Sequence, residues 1–199
     1  MSTSHQIETH QGVHVLRLIS PDGTNRLTES LIQSCKHSLT KLAKDSPKAL
    51  VIAGNEKFFS AGADLNEIAV LDGRSAYEFA KMGQELMQVV EDFPAPTYAA
   101  IHGYCMGGGL DLALACHRRL AAPDAVFGHR GAALGLITGW GGTQRLARLI
   151  GKARALEMFV AADKVGATRA LMLGLIETIC DDPVGEAISR LISWRTSQD

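Results

Sequence analysis

Ile101-His102-Gly103-Tyr104-Cys105-Met106-Gly107-Gly108-Gly109-Leu110-Asp111-Leu112-Ala113-Leu114-Ala115-Cys116 is the stretch on which the rest of the chain depends. It opens as the end of a strand, passes through three consecutive glycines and continues as a run too apolar for a surface helix. Glycines without a Cβ let backbone N–H groups come close to a ligand. A helix starting just behind them leaves its first N–H groups unpaired and adds a partial positive charge. Such an end suits a developing oxyanion or a phosphate. The only carboxylate of the stretch, Asp111, falls in the first helical turn, where a charge among apolar neighbours needs a partner, a capping role or a chemical task.

Outward from this stretch, the chain reads as alternating strands and helices. Val13–Ile19 is expected as a strand, ended by Ser20-Pro21-Asp22-Gly23, and residues 1–11 as a loose polar end. Thr28 is placed to cap a helix whose apolar face is Leu31, Ile32, Cys35, Leu39 and Leu42. Ala49–Ala53 and Thr97–Ile101 read as strands buried on both sides. Between them come a glycine-containing loop at 54–65 and a helix with Ser75 and Glu78 as its capping box. Downstream, strands are expected at 118–122, 125–127 and 175–179. Helices are expected at 143–150, 152–161, 167–173 (ended by Gly174) and 183–195. The recurring unit of strand, glycine turn and helix gives an α/β fold with helices packed on short strands, in a single domain over 1–199.

Composition narrows the function. The 199 residues are enough for one full core, and Lys+Arg 20 against Asp+Glu 21 offers no basic surface for nucleic acid or an acidic membrane. Cys35, Cys105, Cys116 and Cys180 show neither C-x-x-C pairing nor disulfide spacing. No run is long and apolar enough to span a bilayer, and the first residues lack a charged-then-apolar signal. A soluble, cytoplasmic protein is expected. The seven histidines show no metal-binding spacing, and neither G-x-G-x-x-G nor G-x-x-x-x-G-K-[ST] occurs, so no metal and no nucleotide of the usual kinds is expected. Cys105 reads as a small core residue rather than a nucleophile, since no His/Asp pattern accompanies it.

Three segments in order, Phe59-Ser60-Ala61-Gly62-Ala63-Asp64-Leu65, His102-Gly103 with Gly107-Gly108-Gly109, and Gly141-Gly142-Thr143-Gln144-Arg145-Leu146, resemble the enoyl-CoA hydratase/isomerase (crotonase) superfamily. The resemblance runs from about Val13 to about Ile179. It implies a crotonase-like spiral of β-β-α units, a role in fatty acid metabolism, an acyl-CoA thioester as substrate, no tightly bound cofactor, and a homotrimer or hexamer. It also implies an oxyanion hole made by the N–H groups of Ala63 and Gly108, with Lys57, Ala61, Ala63, Asp64 and Leu65 as candidate coenzyme A positions. Relatives continue with several further C-terminal helices, so a truncated C-terminal region is expected.

The chain departs from the family at one decisive place. Hydratases hold a water between two glutamates, and those positions fall here on Asp111 and on Gly131, which has no side chain. Hydration needs groups that deliver a proton and activate water, so efficient hydration is doubtful. Isomerisation, thioester hydrolysis, decarboxylation or binding without catalysis stay open. Apolar neighbours would raise the pKa of Asp111 and the helix N-terminus would lower it; the sequence leaves both open. His129 and Arg130 could replace the missing acid, or form a polar pair on an exposed turn. Thr138 and Trp140 are placed to touch an acyl group, or to pack in the core.

Overall fold

The computed structural model describes residues 4–196, with side chains described through residue 193. The strands are β1 (Ser4–His10), β2 (Val13–Ile19), β3 (Arg26–Leu27), β4 (Ala49–Ala53), β5 (Phe58–Ser60), β6 (Gly62–Ala63), β7 (Thr97–Ile101), β8 (Tyr104–Met106), β9 (Arg118–Ala121), β10 (Val126–Gly128), β11 (Val165–Gly166) and β12 (Thr178–Ile179). The helices are α1 (Glu29–Leu42), α2 (Leu65–Ile68), α3 (Gly73–Glu91), α4 (Gly108–Ala115), α5 (Gly142–Ile150), α6 (Lys152–Ala161), α7 (Ala167–Leu173) and α8 (Pro183–Thr196). This is the expected mixed α/β architecture with parallel sheets. No helix among the described residues is long and apolar enough to cross a membrane.

A six-stranded sheet in the order β1-β2-β4-β7-β9-β12 forms the frame, parallel throughout except for the β1–β2 hairpin. Side chains alternate across it with the period of two that strands impose. Leu50, Ile52, Ala99 and Ile101 point into the main core, whereas Ala49, Val51, Tyr98 and Ala100 face a second cluster closed by Ala187 and Leu191 of α8. Both faces are therefore covered, which is why β4 and β7 are apolar at every position but one. Each fully buried Val, Leu or Ile contributes about 1.5–3 kcal/mol relative to exposure.

The second sheet, β11-β10-β8-β5, is parallel at β5–β8–β10 and antiparallel at β10–β11. It carries the turns leading into the site. The short β3–β6 pair sets Leu27 against Ala63 and anchors the loop that ends there. Beyond it α4 is wholly buried, all eight residues included. Its C-terminus is closed by Arg119, itself 5% exposed, which donates from Nε to Leu175 O at 2.8 Å and from Nη1 to Cys116 O at 2.8 Å. A buried cation on carbonyls at that end offsets the negative pole of the helix.

The structure corrects the sequence reading in four places. Residues 4–10, expected to be loose, form β1, paired along its whole length with β2 from Ser4↔Ile19 to His10↔Val13; residues 1–3 lie outside the described residues. Its polar side chains hid it, because an edge strand needs only backbone partners on one side. The capping box of α3 is Asp72 with Ser75, one turn earlier than expected, and Ser75 occupies its N3 position. The strand expected at 175–179 is confined to Thr178–Ile179. His129, weighed as part of an exposed turn, is buried.

Candidate active site

Gly107 takes φ +50° and ψ −121° and turns β8 into α4, its own N–H donating to Gly128 O at 2.8 Å. A side chain there would be strained, so the turn requires glycine. The second arm, at Gly62 with φ +93°, comes up against it. A Cβ on Gly62 would stand 3.1 Å from Gly108 N, and one on Gly108 would stand 3.4 Å from Ala63 N. Two segments about 45 positions apart in the chain thus meet backbone to backbone, with room for no side chain between them. Ala63 and Gly108 both line one cleft of about 310 Å³, together with Ala61, Leu65, Asp111 and Trp140.

Of the candidate coenzyme A positions, Ala61, Ala63 and Leu65 lie on this cleft. Asp64 is the N-cap of α2 and accepts from Asn66 N at 2.8 Å, a structural role written into its own turn. Lys57 lines a separate groove with His102 and Asp182. Trp140 packs in the core and also borders the cleft. It is 4% exposed, lies against Gly83 and Gly108, stacks at a tilt on Phe79 with centroids 5.3 Å apart, and still borders the cleft.

Asp111 is fully buried in the first turn of α4. Its Oδ2 accepts a short hydrogen bond from the Thr138 hydroxyl. Burial raises its pKa to about 7; the Thr138 hydrogen bond and the Arg145 guanidinium oppose this and lose. Gly142 leaves the space the carboxyl occupies, since a Cβ there would fall on Asp111 Oδ1. Arg145 is held off by its own partners: Nη2 pairs with Glu91 at 2.5 Å, and Nη1 donates to Trp140 O at 3.1 Å.

The opposite wall carries no acid. Gly131 begins a short 3-10 turn, and a Cβ on it would stand 2.7 Å from Leu136 O, so the loop is folded around the missing side chain. What faces Asp111 instead is His129, 3% exposed, with Nε2 3.4 Å from Asp111 Oδ1. Burial lowers the imidazole pKa to about 4. Thr138 and His129, neither assigned a firm role from sequence, are thus the two side chains that touch the carboxyl. Only their position in a glycine-rich, pocket-side loop hinted at it. Cys105 is a buried thiol whose pKa burial pushes well above its ordinary value, as a core residue's should be.

Comparison with known proteins gives the family and the fold. Residues 8–197 match the family model described as enoyl-CoA hydratase/isomerase. The chain belongs to the enoyl-CoA hydratase/isomerase family. A Bacillus subtilis protein named "Probable enoyl-CoA hydratase" is 42% identical over 168 residues, 83% of this chain and 65% of that protein. A crotonyl-CoA hydratase of Syntrophomonas wolfei is 34% identical over 175 residues, 87% of this chain and 67% of its own length. The chain thus spans about two thirds of these curated relatives. The solved enoyl-CoA hydratase of Bacillus anthracis superposes with a TM-score of 0.89 at 32% identity, over 98% of this chain and 77% of that one. The fold is accordingly the crotonase fold.

Proposed function

We propose that this chain processes an acyl-CoA thioester, holding the thioester oxygen on the N–H groups of Ala63 and Gly108 while Asp111 moves a proton at the adjacent carbon. The observation that carries this is the meeting of those two amides beside one buried carboxyl group. As a proton leaves the α-carbon, its bonding pair moves towards the thioester oxygen, and two fixed donors stabilise the charge that develops there. Losing one such donor typically costs roughly 3–4 kcal/mol of barrier. Asp111, with a pKa raised to about 7, is balanced between giving and taking a proton near neutral pH. Ala61 and Leu65 border the path for the pantetheine arm.

Among the family's reactions, isomerisation by a single proton-shuttling group fits this site best. The reason is Gly131: no second carboxylate faces the cleft to activate water from the other side. The names of the relatives, hydratase above all, support thioester chemistry without choosing the step. Coenzyme A enters only as part of the substrate. The same reading includes assembly into a homotrimer or hexamer, which would cover exposed apolar side chains such as Leu156 and Val160.

The test is turnover of a panel of 2-enoyl-, 3-enoyl- and saturated acyl-CoAs followed by mass spectrometry and NMR of products. Interconversion of 3-enoyl and 2-enoyl thioesters, with hydration slower, is the expected result. If every thioester binds and none is converted, the chain is a binding subunit and the catalytic assignment fails.

A further inference from the structure

Asp111 Oδ1 and His129 Nε2 are the two buried side-chain polar atoms that lack a hydrogen-bond partner among the described residues, and they face each other at 3.4 Å. Leaving both unpaired would cost the desolvation of each, and one hydrogen bond between them removes both penalties. The imidazole is held from behind by the Phe159 ring of α6, with centroids 5.0 Å apart, so its edge is directed rather than free to rotate away. The carboxyl is held on its other oxygen by Thr138. Both holders belong to residues 129–138, the loop in which the family's second acid position is the bare Gly131.

Resting on the acyl-CoA reading above, we propose that His129 is the positioning residue of Asp111: its Nε2–H donates to Asp111 Oδ1 and, with Thr138 on Oδ2, fixes the carboxyl towards the cleft. When Asp111 takes a proton from the substrate, the C–H pair moves into the thioester enolate and the proton stays on the carboxyl. The imidazole keeps its own proton throughout and changes no charge. His129 therefore stabilises the carboxylate form without touching substrate. The loop has exchanged a second acid for two holders of the first one.

Other ionisable groups near the pair are few. Arg145 of α5 acts on Asp111 and is paired with Glu91, the Cys105 thiol of β8 senses Asp111, Lys152 of α6 shares the groove behind His129, and Arg130 adjoins it in the loop. None of these makes a hydrogen bond to Oδ1 or Nε2.

Two readouts test the proposal. The first is 15N NMR of the His129 ring in the full chain: the wild type should hold the Nε2–H tautomer from pH 6 to 8, and Asp111→Leu should lose that preference. The second compares His129→Phe, which keeps the packing on Phe159 but has no donor, with His129→Gln, whose amide can still donate. For His129→Phe, kcat should fall at least tenfold with KM within twofold, and the midpoint of the kcat–pH profile should rise. His129→Gln should recover most of both. An unchanged tautomer in Asp111→Leu, or equal losses in Phe and Gln variants with an unmoved midpoint, would overturn it. Should the wild type convert no thioester, the acyl-CoA reading fails on turnover while the tautomer still decides the pairing.

Discussion

On one wall of the cleft, α4 buries all eight of its residues and is closed behind by Arg119. The facing wall, residues 129–140, leaves Leu134, Leu136 and Ile137 at 58%, 40% and 72% exposure. The buried wall carries the Gly108 amide and the Asp111 carboxyl, and it cannot shift without disturbing the core. The exposed wall supplies Thr138 and His129 to hold that acid, and it has room to vary. Positions on the first wall are fixed by packing at crystal-like density.

The sharpest way to break this contrast is Asp111→Asn. It removes the acid from the rigid wall while keeping its shape, and kcat on a converted acyl-CoA should fall about 10²–10⁴-fold, with coenzyme A affinity within about twofold by calorimetry. Unchanged turnover would remove Asp111 from the mechanism.

The next effect is on stability against pH, and its sign differs between the two walls. Folding raises the Asp111 pKa from 3.8 to about 7, so the folded state holds a proton there that the unfolded chain has lost; this contribution is present at low pH and disappears as pH rises from about 4 to 7. Folding lowers the His129 pKa from 6.5 to about 4, so the unfolded chain binds the extra proton; stability is lost as pH falls from about 6.5 to 4. In the wild type the two slopes cancel over that window, because folded and unfolded pairs each carry one labile proton. Asp111→Asn should expose the histidine slope, stability rising with pH, and His129→Phe the opposite one. Across pH 4.5 to 6.5 each slope should amount to about 2–3 kcal/mol, read from urea midpoints at pH 4.5, 5.5 and 6.5. Parallel slopes in the two variants would show that the pair is not buried as described.

Smaller again is Gly142→Ala, which pushes a methyl group onto Asp111 Oδ1. Destabilisation of about 1–3 kcal/mol by thermal or chemical melting is expected, and Asp111→Ala should relieve it in the double variant. Trp140→Phe should cost least, about 0.5–1.5 kcal/mol for the Nε1–H bond to Phe79 O at 3.4 Å, with little change in turnover.

How much of this was legible in the sequence follows the same division. Apolar runs fixed by burial on both faces, Val13–Ile19, Ala49–Ala53 and Thr97–Ile101, were placed to the residue, as were the ends of the helices at 152–161 and 167–173. Ala63 and Gly108 were named as a pair through the family resemblance and Asp111 as the one carboxylate behind the glycines, and the structure sets all three on one cleft. β1 was missed, since an edge strand carries no apolar alternation of its own, and the start of α3 was set one turn late because Asp72 and Ser75, three positions apart, can each act as its cap. His129 escaped for a different reason. A His-Arg pair beside glycines reads as solvated, and only the arrival of Phe159, distant in sequence, buries the ring against Asp111. Long-range packing of a polar residue leaves no local periodicity to detect.

The central claim is that two main-chain amides, from Ala63 and Gly108, converge on one thioester oxygen. A crystal structure of the chain with a non-reactive acyl-CoA analogue tests it most directly. The account predicts that oxygen at about 2.7–3.1 Å from both nitrogens, with the α-carbon next to the Asp111 carboxyl. An acyl group seated elsewhere, or an oxygen in reach of only one of the two amides, would contradict it.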